Sequence, residues 1–113
     1  MAISFQSIAQ QCATFLASRP MAHNTVCLLT GNNTVDICAG GDVFIGVVSN
    51  SKDGLANVIL SGFVTLPYTG ANPSTGFTAL AADEDGGVQL DADGRQYLVV
   101  NVDTTRKLVS FYL

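Results

Sequence analysis

From Pro20 onward the sequence is a succession of short β-rich runs, each closed by glycine, asparagine or aspartate. That pattern predicts strands over Thr25–Thr30, Thr34–Cys38, Val43–Ser49, Ala56–Leu66, Phe77–Ala81, Val88–Leu90, Gln96–Val102 and Lys107–Leu113. Gly31-Asn32-Asn33 between the first two is a hairpin signal, and Gly62 inside the long fourth run marks a bulge or bend. An Asn-Thr-Val triplet recurs at 24–26 and 33–35, too close together for a solenoid period. Pro67, Gly70, Pro73 and Gly76 predict a loop over 67–76. Many short strands with frequent turns make an antiparallel barrel or sandwich.

Before Pro20 the pattern changes. Ile8, Cys12, Phe15 and Leu16 recur at helical spacing, with Phe5 one turn earlier, Ser4 as a candidate N-cap and Pro20 as a stop. The expected fold is therefore mainly β: a small antiparallel β-barrel or sandwich with one N-terminal α-helix. Residues 1–19 form the amphipathic helix and 20–113 a single β-barrel domain. The apolar stripe of the helix covers either its own barrel or a partner.

Charge excludes several partners. Nine acids against five bases give a net charge of −4, and Arg19, Lys52, Arg95, Arg106 and Lys107 are scattered. Nucleic-acid binding needs a basic face that releases counterions, so none is expected, and no polybasic contact with anionic lipid. The uncharged stretches 1–18 and 54–82 are broken by polar residues, glycine and proline, so neither spans a bilayer. Residues 1–18 also lack the basic start of a signal peptide, and synthesis in a cytoplasm is expected. Cys12, Cys27 and Cys38 form no metal-ligand pattern with the single His23 and read as small buried thiols. A Cys27–Cys38 bridge between neighbouring strands is the alternative and needs an oxidising compartment.

No constellation for chemistry emerges. Asp91-Ala92-Asp93-Gly94 opens like a calcium loop, but Arg95 stands where a third ligand is needed. Aspartate and glycine also fill hairpin turns for backbone reasons alone. His23 has no neighbouring nucleophile in sequence, and no phosphate-cradling glycine pattern occurs. A hydrolase is disfavoured, and no catalytic residue, metal or cofactor is expected. Tyr97, Phe111 and Tyr112 are expected to fill or rim the barrel, and Tyr68 to be the exposed aromatic of the 67–76 loop.

Phe44-Ile45-Gly46-Val47-Val48, then Val58-Ile59-Leu60-Ser61-Gly62-Phe63-Val64-Thr65-Leu66-Pro67, an Asp/Gly-rich middle and a closing Leu108–Leu113 strand follow in order. In these pieces the chain resembles bacteriophage head-decoration, or capsid cement, proteins. Relatives of that family are sometimes labelled recombinase-like, but no nucleotide-binding loop supports such a label here. The resemblance implies a small β-barrel that binds the outside of a shell, with the major capsid protein as partner and a homotrimer as oligomer. It implies a phage or prophage structural protein located in the virion. The N-terminal helix and the Tyr97-Leu98-Val99-Val100 segment depart from the family pattern. Apolar content of 48% against 12% charged residues fits surfaces buried between subunits. The candidate contact residues are Ile3, Phe5, Ile8, Phe15, Leu16, Tyr68 and Asn72. The alternative is a β-barrel ligand-binding module taking a carbohydrate, a peptide or a cation through the acidic turns.

Overall fold

A computed structural model of the chain describes residues 10–113. Ten strands follow one another: β1 Gln11–Ala17, β2 Thr25–Gly31, β3 Thr34–Ile37, β4 Gly46–Lys52, β5 Leu55–Ser61, β6 Phe63–Thr69, β7 Gly76–Ala82, β8 Val88–Leu90, β9 Arg95–Asp103 and β10 Leu108–Tyr112. They close into two five-stranded barrels in place of the single one expected, in the orders β1-β3-β2-β4-β5 and β10-β6-β8-β7-β9. The pairing is antiparallel except for β1 with β3 and β6 with β8, which are parallel.

The expectation of an N-terminal helix is overturned across its described part. Residues 11–17 form a strand that pairs with β5 from Gln11↔Ser61 to Leu16↔Leu55 and with β3 at Ala17↔Val35. Ala13, Phe15 and Ala17 turn inward while Cys12, Thr14 and Leu16 are exposed, a period of two. The helical stripe is split, with Phe15 and Leu16 on opposite faces. A short apolar run fits both periods, and here the ladder that closes the barrel decides. Arg19 then reaches Asp36 at 2.8 Å, joining the exit of β1 to β3. Ser4, Ile3, Phe5 and Ile8 lie outside the described residues.

The two barrels repeat one another in register. In the first, β4 meets β5 through Val47↔Ile59, Val48↔Val58, Asn50↔Asn57, Ser51↔Ala56 and Lys52↔Leu55. In the second, β9 meets β10 through Leu98↔Tyr112, Val99↔Phe111, Asn101↔Ser110, Val102↔Val109 and Asp103↔Leu108. Val47 to Leu98 and Lys52 to Asp103 are both steps of 51 positions; Ile59 to Tyr112 and Leu55 to Leu108 are both steps of 53. Even the bulge recurs, skipping Ser49 in one ladder and Val100 in the other. The chain is an internal tandem repeat that crosses from one unit to the next at Gly62, whose φ of 122° only glycine adopts readily.

Each barrel has its own interior. Cys27, Val35, Val48, Ala56, Val58 and Met21 fill the first, with Phe15 packed against them. Leu66, Tyr68, Leu80, Tyr97, Val99 and Phe111 fill the second. The second core also takes in residues of the first unit, namely Val26, Val47, Ile59 and Phe44. Phe44 comes from the connection between β3 and β4 and stacks on Tyr97. The same connection pairs with the end of β7, Gly41 N donating to Ala82 O and Ala82 N to Asp42 O, each at 2.9 Å. The shorter β8–β9 connection, residues 91–94, supplies no aromatic counterpart.

Candidate docking surface

Along β4, Val48 faces the first barrel's interior, so Val47 faces outward. Val47 is flanked across the sheet by Val26 and Ile59. These three form an apolar row on the outside of β2-β4-β5. The row is 0–9% exposed, because it packs into the core of the second unit.

The same row exists on the second barrel. Phe77 pairs with Leu98, Leu98 with Tyr112, and Tyr112 with Phe63, across β7-β9-β10-β6. By register, Val26↔Val47↔Ile59 and Phe77↔Leu98↔Tyr112 are counterparts. Here the residues stand outside: Phe77 is 74% exposed and Leu98 and Tyr112 38% each. Tyr112 sits edge-on to Phe63 with ring centroids 5.1 Å apart, and its hydroxyl lies 3.2 Å from Ser61 Oγ. These contacts fix the aromatic end of the row without covering it. Leu16 and Leu55 add a second exposed apolar pair on the first barrel. Sequence reasoning missed the row because its members come from four separate runs. Each looks like an ordinary outward strand residue, and only the register aligns them.

The candidate contact residues are scattered over the fold. Leu16 is exposed, whereas Phe15 packs against the first core. Tyr68 is corrected most. It lies in β6, is 2% exposed, and its hydroxyl donates to Asn72 Oδ1 at 2.7 Å. Lys107 Nζ sits 4.7 Å from the centre of its ring and donates to Gly70 O. The predicted loop begins three residues late because β6 runs through Pro67, which pairs with Leu108, and the next amide, Tyr68 N, donates to Lys107 O. Asn72 itself is exposed, its side-chain oxygen held by Tyr68.

A groove of about 500 Å³ runs between the barrels, lined by His23, Asn24, Ser49, Phe63 and Thr65 among others. His23 Nδ1 lies 2.7 Å from the carbonyl of Ser49 and so donates to it. The Ser49 hydroxyl donates to Asn57 O instead, so the histidine and the hydroxyl are not coupled as base and nucleophile. The acidic turns spend their carboxylates on backbone amides. Asp91 Oδ1 accepts from Asp93 N, Asp103 Oδ1 from Thr105 and Arg106 N, and Asp83 Oδ1 from Asp85 and Gly87 N. No group of three or more potential metal ligands occurs among the described residues. All three cysteines are free thiols. Burial pushes Cys27 up to about 11, and burial together with nearby negative charge pushes Cys38 up to about 12.

The chain matches no protein-family model and no curated protein sequence.

Proposed function

We propose that the protein is a non-enzymatic structural component of a phage or prophage particle that coats and reinforces the capsid shell. The observation that carries this reading is the exposed row Phe77-Leu98-Tyr112 on a molecule whose other polar features serve its own turns. An exposed docking face, with His23 and Ser49 bonded to separate carbonyls, suits a part that works by repeated contact. The resemblance of its strand motifs to those of head-decoration proteins supports the major capsid protein as the partner. Many weak contacts multiplied by a symmetric lattice hold such a coat without any single tight site. The second reading, a β-barrel module binding a carbohydrate, a peptide or a cation through the acidic turns, has less support, because Asp83, Asp91 and Asp103 each hold backbone amides of their own turns.

The deciding experiment is quantitative mass spectrometry of particles induced and purified from the source organism. Copy numbers near that of the major shell protein are expected. A chain abundant in cells yet missing from particles overturns the proposal.

A further inference from the structure

The two barrels carry the same outward row at the same register, but among the described residues only one copy of it is covered. Val26-Val47-Ile59 is sealed by the second barrel, while Phe77-Leu98-Tyr112 is open. We infer that the open row binds the N-terminal barrel of a second copy of this chain, so that copies join head to tail, repeating between chains the contact made within one.

The occupant follows from what already covers the equivalent row. In the internal contact the turn between β7 and β8 reaches the first barrel, with Gly86 O accepting from Val26 N at 3.0 Å. Gly86 also packs against Thr25, where an added Cβ would come 3.3 Å from Thr25 Cγ2. The counterpart of that turn on the N-terminal barrel is the β2–β3 hairpin, Val35 matching Val88 through their partners Ala17 and Tyr68. Beside that turn the Ala82 backbone bonds to Gly41 and Asp42 of the first unit, whereas Leu29 in the hairpin is 49% exposed. The molecule therefore shows both halves of one interface unpaired: an open row on its C-terminal barrel and an open hairpin with an exposed leucine on its N-terminal barrel. Two different faces give a heterologous contact, which closes as a ring or continues as a filament. The inference concerns the chain alone and stands apart from the shell reading, since assembly in pure solution and presence in particles are separate measurements.

The test is the mass of the purified full chain by light scattering and sedimentation. An assembly that is a multiple of 11.8 kDa is expected. Phe77→Glu in the row and Leu29→Glu in the hairpin are both exposed substitutions, and circular dichroism with thermal melting verifies that each variant folds. Each variant alone should fall to a monomer. An equal mixture should form a dimer and stop there, because one variant keeps only a hairpin and the other only a row. Should either charged variant fail to fold, Leu98→Ser and Leu29→Ser give the same mixing test. A wild-type chain that is monomeric at all concentrations overturns the inference. So does a Leu29→Glu variant that assembles as well as wild type, since that pattern belongs to rows pairing with each other.

Discussion

Phe44 and Tyr97 stack with ring centroids 5.2 Å apart and planes only 6° from parallel, although one belongs to the first repeat and the other to the second. Phe111 meets both rings, edge-on to Phe44 at 6.3 Å and tilted to Tyr97 at 5.1 Å. This trio makes the core of the second barrel depend on a side chain from the first.

Phe44→Ala should therefore destabilise the whole molecule and not one unit. Truncating a buried phenylalanine costs about 3–5 kcal/mol through lost transfer energy and the cavity left behind. Chemical denaturation monitored by tyrosine fluorescence and circular dichroism should show one shared transition moving to lower denaturant. Two separated transitions, with the first barrel unaffected, would contradict the shared core.

Asp83 is 2% exposed, and its carboxylate closes the β7–β8 turn through Asp85 N at 2.8 Å and Gly87 N at 2.9 Å, with Thr69 Oγ1 donating to its other oxygen. Asp83→Ala strands these donors and should cost on the order of 2–4 kcal/mol. Asp83→Asn keeps one acceptor oxygen and should lose less. Equal losses in melting experiments on the two variants would show that the hydrogen bonds do not set the turn's stability.

Gly46 and Gly31 make a matched pair. A Cβ on Gly46 would collide with the Ile59 carbonyl and come 2.8 Å from Val58 Cγ1, whereas one on Gly31 meets nothing within 4 Å. Gly46→Ala should cost more than about 2 kcal/mol, and Gly31→Ala should stay within about 0.5 kcal/mol of wild type. Denaturation midpoints of the two variants check this directly.

The thiols should separate by reactivity and by pH. Cys12 is exposed, Cys27 is buried and Cys38 is half-buried, with both of the latter thiols pushed well above the ordinary range, so a disulfide reagent at pH 8 should modify Cys12 fastest and all three rapidly only in denaturant. Cys27 and Cys38 both have folded values raised above the ordinary 9.0. Their contribution is full below pH 9 and is lost as pH rises from there toward 11 and 12, because the unfolded chain ionises first. Cys27→Ala with Cys38→Ala should flatten that alkaline decline in a pH series of melting temperatures.

Strand chemistry was readable locally, and its partners were not. Val88–Leu90 is a strand as expected, and Gly62 does break the long run, ending β5 and starting β6 instead of bending one strand. Tyr97 and Phe111 are core residues as their aromatic strands suggest. Residues 11–17 misled because Cys12, Phe15 and Leu16 fit a helical stripe, whereas the strand turns Ala13, Phe15 and Ala17 inward and leaves Leu16 outside. Tyr68 misled because neighbouring prolines and glycines signal a loop, while alternation with Val64 and Leu66 places it inside the barrel. The repeat itself escaped notice because its evidence is a matching of ladders. Ser49 and Val100 share a bulge but no chemistry, and Cys27 and Thr78 share a register position but no environment.

The two repeats differ in length at the hairpin that follows the bulged strand. Asp53 and Gly54 alone turn the chain between Lys52 and Leu55, but four residues, 104–107, do so between Asp103 and Leu108. The longer tip is organised by Asp103, which holds the Thr105 and Arg106 amides, and by Lys107, which ties it back to Gly70. Nature has in effect already spliced extra residues into this corner without disturbing a single ladder pair. The bond between Thr104 and Thr105 is accordingly the place to graft a foreign epitope for display, with the Asp103 and Lys107 anchors left on either side of the graft.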